Sequence, residues 1–481
     1  MAVLAIDQGT SGTKAVVVDD SGAIRGIAET PVRPCYLAGG RVEQDPAGLL
    51  ASVLEAGRRA IASADVRVDA VSVANQGETV LVWDPDTGQQ LSTALVWQDR
   101  RAETLCSKRS RARRWVAERT GLVLDPYFSA PKMTWLRENV SRRGVVTTTD
   151  SWIVHHLTGA FVTDGSTASR SLLTDLDSLT WDSDLVGLFD LAGERLPEIV
   201  ASDAVVGTTD AFGPTVAVGG LIVDQTAALL AQRCLSPGTA KCTFGTGVFL
   251  LANVGSKAIR STAGLTCSSA WTLRGESTYC VDGQAYTAAS AVRWLQDIGL
   301  IDAPTDLDAI AENDSRGVLF IPALAGLAAP WWRSDATATF TGMTLSTTRA
   351  DLVTAVVQGL AAQTAELVTA IEDDLVAPLT TLRVDGGLTR SRALMQTTAD
   401  LTGIPVEVYP SAHATALGAA ACARLAVRPD LTVDEAIPHW TPATTYNPRW
   451  DSQRANSFRQ RWRAAMSATT TTTSPTETVN A

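Results

Sequence analysis

Two short segments constrain this chain more than any others. Val3 to Val18 reads V-L-A-I-D-Q-G-T-S-G-T-K-A-V-V-V: an apolar run, an Asp, a turn of Gly, Thr and Ser, then a second apolar run. That order predicts a β-hairpin whose tip carries backbone N–H and hydroxyl donors beside one carboxylate. Such donors suit phosphate oxygens, and a carboxylate at a strand end suits hydrated Mg²⁺. Lys14 has no G-x-x-x-x-G before it, so the segment is not a Walker A loop. About 235 residues later, Ala240 to Leu251 reads A-K-C-T-F-G-T-G-V-F-L-L, again strand, polar turn, strand. Two such hairpins predict a duplicated architecture in which each half contributes one edge of a nucleotide site.

The intervening pattern is α/β. Leu49 to Ala64 has helical spacing, and Ala70 to Ala74 reads as a short buried strand. Thr79 to Trp83 and Ala94 to Trp97 flank D-P-D-T-G as a hairpin. Alternation of this kind builds layered α/β domains. Ser346 to Asp374 is a long helical pattern, followed by a buried strand at Leu382 to Asp385 and the pair Gly386-Gly387. A further helix is predicted near Ala416, where A-L-G-A-A-A-C-A-R-L permits close packing or close ligand approach. At 481 residues the chain exceeds one core, so two domains of about 200 residues are expected, with the boundary between Asp224 and Cys242. The predicted division is 1–231, 232–430, a helical extension over 431–466, and a disordered tail over 467–481, where T-T-T-T-T-S-P-T-E-T-V-N-A lacks apolar content.

Composition removes several classes of function. A net charge of −11 argues against nucleic acid as a partner. The only basic run, Arg109, Arg111, Arg113 and Arg114, reads as a solvated helix surface. Seven dispersed cysteines without C-x-x-C suggest reduced thiols in the cytoplasm. No signal peptide and no run of about 18 apolar residues is evident, so no membrane partner is expected. His155, His156, His413 and His439 lack metal-ligand spacing, and no G-x-S-x-G marks a serine hydrolase.

Further segments carry a resemblance. G-R-V-E-Q-D-P (40–46), N-Q-G-E-T (75–79), V-W-Q-D-R-R (96–101), D-P-Y-F-S (125–129), D-Q-T-A-A-L (224–229), F-G-T-G (244–247), A-P-W-W-R-S-D-A (329–336), R-V-D-G-G (383–387) and T-A-L-G-A-A (415–420) stand in the order seen in FGGY carbohydrate kinases. The chain resembles that family from Val3 to about Ala426, and within it the glycerol kinases most closely. The resemblance implies two domains of the actin and ribonuclease H type flanking a catalytic cleft, with ATP and Mg²⁺ as cosubstrate and metal.

Roles follow by position from the resemblance. Asp224 looks like the catalytic base, and Asp7 would hold Mg²⁺ through water. Thr10, Ser11, Gly12 and Lys14 would sit near the β- and γ-phosphates, with Thr246 reaching phosphate from the second domain. Gly387 and Ser391 would line the adenosine pocket, near Ala289 and Arg293. The polyol would meet Glu78, Tyr127, Asp224 and Gln225, with Trp97 and Phe249 packed on its carbon chain. Read alone, Trp97 and Phe249 could be core and Tyr127 a turn residue.

One position departs from the pattern. Glycerol kinases carry Q-R-E where this chain has Gln76-Gly77-Glu78. Gly77 supplies no side-chain donor and leaves an empty volume, and losing such an anchor costs discrimination of roughly 10⁴. The expected activity is therefore ATP-dependent phosphorylation of a terminal hydroxyl of a small polyol, with a four- or five-carbon alditol admitted. Ala289 and Arg293 also differ from the Gly and Gln of glycerol kinases. The alternatives are a ketopentose kinase, which Glu78 disfavours, and a non-catalytic ATP-binding sensor, which Asp7, Asp224 and Thr246 disfavour. Family members often dimerise, so a homodimer is one expectation, but no segment marks an interface.

Overall fold

Each polar hairpin opens a sheet of its own. In the computed structural model, which describes residues 1–471, strand Ala2–Gln8 pairs antiparallel with Gly12–Asp19, and that strand with Ile24–Pro31. On its other edge Ala2–Gln8 lies parallel to Ala70–Asn75, which lies parallel to Val216–Val223; antiparallel Val205–Thr209 closes the sheet. The second sheet repeats the scheme. Ala240–Phe244 pairs antiparallel with Val248–Gly255, which meets Glu276–Ala285. Its far edge runs parallel to Leu382–Asp385, then to Val406–Val408, with Thr444–Tyr446 antiparallel outside. The duplication predicted from two hairpins is a duplication of whole sheets.

The central strands are apolar on both faces because both are covered. Leu4 and Ile6 face a core with Val17, Val53 and Val73, while Val3 and Ala5 face Ala416 and Ala420. Helix Pro46–Ser63 supplies part of the first cover and starts one turn earlier than its apolar spacing suggests. Asp45 caps it by accepting from the Ala47 and Gly48 N–H groups, and Pro46 fits the first turn. Val80–Trp83 and Ala94–Leu95 do pair across D-P-D-T-G, within a separate sheet. Helix Arg349–Leu375 carries a capping box at Thr348 and Asp351. By length and composition it could cross a membrane, although Thr, Gln and Glu interrupt its apolar residues, and most of that stretch is buried within the protein. The last helix, Ser452–Thr471, runs past the boundary predicted at 467. The rest of the predicted tail lies outside the described residues.

One helix ties the two halves together. Ala414–Val427 follows the second sheet in sequence yet packs on the first, against Ala2–Gln8, Ala70–Asn75, Val216–Val223 and helix Asp224–Ala231. A Cβ on Gly418 would lie 1.9 Å from the Ala227 carbonyl oxygen, so only glycine allows this approach. The small residues of this segment thus serve close packing between helices. The Thr415 hydroxyl also donates to the Asp224 carbonyl at 3.4 Å, fixing the first turn of the neighbouring helix.

Gly418→Ala tests the crossing. Alanine favours a helix by about 1 kcal/mol over glycine, but the collision is with backbone and overpacking costs about 1–3 kcal/mol or more. A lower thermal unfolding midpoint is expected; an unchanged or higher midpoint would contradict the close approach.

Candidate active site

Asp224 is the first residue of helix Asp224–Ala231, immediately after a central strand of the first sheet. Its Oδ1 accepts from the Gln225 N–H at 2.6 Å, and the helix N-terminus favours its negative charge. Burial raises its pKa from the ordinary value to about 6, assisted by the nearby Asp7 and opposed by Lys241. Asp7 stands two strands away, with Ala70–Asn75 between, and lies opposite Lys14 across the first hairpin. Burial likewise lifts Asp7 to about 6, against the pull of Lys14. No cluster of three or more His, Cys, Asp or Glu side chains suited to a metal occurs among the described residues. A single half-buried carboxylate beside a phosphate-type hairpin fits Mg²⁺, which keeps waters and takes its other ligands from phosphate.

A cavity of about 200 Å³ opens beside Asp224 and gathers most of the predicted polyol residues: Gly77, Glu78, Trp97, Tyr127, Gln225 and Phe249, together with Thr10, Ser11 and Thr246 from the two hairpins. Trp97 meets Tyr127 and Phe249 edge-on, at 5.5 and 5.9 Å between ring centroids, so the three form one aromatic wall. The Trp97 indole also donates to the Thr10 hydroxyl at 2.9 Å, tying that wall to the phosphate hairpin. Glu78 sits in the left-handed backbone region at φ 59°, an unfavourable state for this residue type that aims its buried carboxyl.

A second cavity of about 450 Å³ adjoins the first, sharing Gln225 and Thr243, and holds Lys14 and Gly387. Gly12 belongs to the hairpin, where a Cβ would press on the Thr30 carbonyl at 2.9 Å. Ala289 begins helix Ala289–Asp297 and its N–H donates to the Gly245 carbonyl of the second hairpin. Arg293 is exposed one turn later, and neither residue lines the two cavities. Ser391 lies apart from both cavities. Its hydroxyl donates to Asp308 at 2.8 Å and caps helix Arg392–Thr402, so it is committed to structure and absent from both linings.

Four charged residues that the sequence reading did not single out complete the site. Arg170 donates through Nε to Glu78 and through Nη1 to Asp282 at 3.0 Å, and both partners are buried. The space beside Gly77 is bounded by this guanidinium: a Cβ there would lie 3.9 Å from Arg170 Nε. A donor is present, supplied by another element. Burial raises Glu78 above the ordinary carboxyl value, opposed by Arg170 and Lys132. Lys132, fully buried, donates to the carbonyls of Pro126, Tyr127 and Phe128 at 2.8, 2.6 and 2.7 Å, clamping the turn that presents Tyr127. Desolvation lowers its pKa to about 8. Lys241 donates to Gln225 Oε1 at 2.6 Å and to Thr243 at 2.9 Å. With its oxygen engaged, Gln225 has its Nε2 donor to offer the cavity. Of the four, only Lys241 carries a signal in the sequence, as the lone charge between Arg233 and Lys257.

Comparisons with known proteins identify the family. Residues 2–231 match the N-terminal domain, and residues 240–427 the C-terminal domain, of the FGGY family of carbohydrate kinases. Glycerol kinase of Bordetella parapertussis is 39% identical, with 96% of each chain covered. Glycerol kinase 2 of Thermotoga maritima is 37% identical over 97% of this chain and 98% of that one. Among solved structures, Plasmodium falciparum glycerol kinase with ADP superposes with a TM-score of 0.90 at 31% identity, covering 97% of this chain and 98% of that one. Xylulose kinase of Lactobacillus acidophilus, at 20% identity, shares the fold with a TM-score of 0.89, covering 98% and 99%. The chain belongs to the FGGY family of carbohydrate kinases, with the two actin and ribonuclease H-like domains of that family.

Proposed function

We propose that the protein transfers the γ-phosphoryl group of ATP to a primary hydroxyl of a small polyol, glycerol or a four- to five-carbon alditol. Residues 1–231 would form the polyol-binding domain and 232–430 the nucleotide domain. The observation that carries the reading is the convergence of Asp224, Glu78, Tyr127, Gln225 and the aromatic wall on one cavity that also touches both polar hairpins. The glycerol kinases at 39% and 37% identity support the substrate class.

In this reading the polyol lies along Trp97, Tyr127 and Phe249, whose faces suit its carbon chain. Asp224 accepts the proton of the attacking hydroxyl as the new O–P bond forms at the γ-phosphorus, and the bond to the β–γ bridging oxygen breaks to release ADP. Positioning and charge neutralisation supply most of such a rate enhancement. Thr10, Ser11, Gly12, Lys14 and Thr246 orient the phosphates, and Gly387 leaves room for the nucleoside, close to Ala289 and Arg293. Mg²⁺ beside Asp7 would offset charge on the β- and γ-oxygens. Gly77 widens the polyol end, since nothing in its backbone demands glycine: a Cβ there meets Val223 at an ordinary 3.6 Å.

Three outcomes test the reading. Asp224→Asn is expected to lower kcat at least 10³-fold while nucleotide affinity, measured by calorimetry, stays near normal; near-normal turnover would contradict it. Because burial raises Asp224 to about 6 and it acts ionised, kcat/KM should be level above about pH 7 and fall as the pH drops below about 6. A profile flat to pH 5 would exclude a carboxylate of this kind. Across glycerol, tetritols and pentitols in a coupled ADP assay, Gly77→Ala should keep glycerol turnover and reduce that of longer alditols about tenfold; equal effects on all would remove Gly77 from the specificity argument.

A further inference from the structure

We propose that Arg170 is the guanidinium that grips the polyol, fixed for that task by one carboxylate from each domain. The inference rests on the polyol reading and deepens it. Arg170 is only 7% exposed and lines the cavity, with its guanidinium near the rings of Tyr127 and Phe128 at 5.8 and 5.7 Å. Glu78 takes its Nε and Asp282 its Nη1, and Asp282 is itself held by the Thr266 hydroxyl at 2.8 Å. Charge-assisted bonds to two partners fix the plane of the fork. Nη2 makes no hydrogen bond to another described residue. Gly77 lies beside this fork in the cavity wall, where a Cβ would stand 3.9 Å from Arg170 Nε and 3.6 Å from Val223.

Around the free nitrogen the cavity presents carboxylate, guanidinium, carboxylate. A hydroxyl group, which donates one hydrogen bond and accepts another, matches that row. A carboxylate group would face Glu78 and Asp282 and be repelled. The chemical group selected is therefore a neutral hydroxyl, and sugar acids are rejected at this end of the site.

The test compares the protein with Arg170→Gln, using the preferred polyol and its monodeoxy analogues in the coupled assay, with ATP affinity measured alongside. In the unsubstituted protein, deleting the hydroxyl that meets Arg170 should lower kcat/KM roughly 10–100-fold, the usual scale for a bond to a charged group. In Arg170→Gln the full polyol should lose a similar factor, mainly in KM, that analogue should lose nothing more, and ATP affinity should hold within twofold. A deoxy penalty of full size in Arg170→Gln would overturn the inference while leaving the polyol reading intact. Should that variant fail to fold, Arg170→Lys keeps the charge without the fork, and the same shrinkage or persistence of the penalty decides. Absence of any polyol-dependent turnover in the unsubstituted protein would overturn the polyol reading itself, and this inference with it.

Discussion

Much of the cleft depends on two helices approaching more closely than side chains normally permit. Helix Asp224–Ala231 and helix Ala414–Val427 come together at Gly418, where any Cβ would collide with the Ala227 backbone. One helix carries Asp224 at its first residue, and the other follows the loop that lines the second cavity at Tyr409 to Thr415. Their contact places the carboxylate between the hairpin of one sheet and the hairpin of the other. A looser crossing would move Asp224 relative to both phosphate-type turns, and misplacement of about 1 Å can cost 10²-fold in rate.

The second constraint is electrostatic. Carboxylates at the floor of a partly buried cleft are costly to ionise, which is why Asp7 and Asp224 are both raised to about 6. Lys14 and Lys241 oppose that cost, and Arg170 and Lys132 do the same for Glu78. Lys132 finds three carbonyl acceptors for its three hydrogens, so a fully buried ammonium becomes a brace for the turn at Tyr127. The site is therefore a lattice of opposite charges in which few members can be removed singly. Breaking one partner of a buried pair costs more than the pair contributes.

The sequence made legible what is local. A polar turn between two apolar runs is a hairpin wherever it falls, and both hairpins stand where the pattern puts them, with Asp7 opposite Lys14 and Thr246 at the second tip. Helix starts were also readable once caps are counted, as Asp45-Pro46 shows. What stayed hidden depends on contacts between distant residues. Arg170 lies 92 positions from Glu78 and 112 from Asp282, and nothing in its neighbourhood points to either. Position 77 therefore read as lacking a donor, because the donor arrives from elsewhere in the fold. Ser391 shows a second limit: a hydroxyl suited to a ligand serves equally well as a helix cap, and here it donates to the nearby Asp308.

In the proposed complex a polyol hydroxyl lies between Asp224 and the phosphate hairpins, with the remaining hydroxyls turned toward Glu78 and Arg170. The most direct measurement is phosphorus and proton NMR of the product formed from ATP, Mg²⁺ and the preferred polyol. A single monophosphate ester on a primary carbon is expected, formed in one-to-one proportion with ADP. Inorganic phosphate as the main product, or an ester on a secondary carbon, would contradict it.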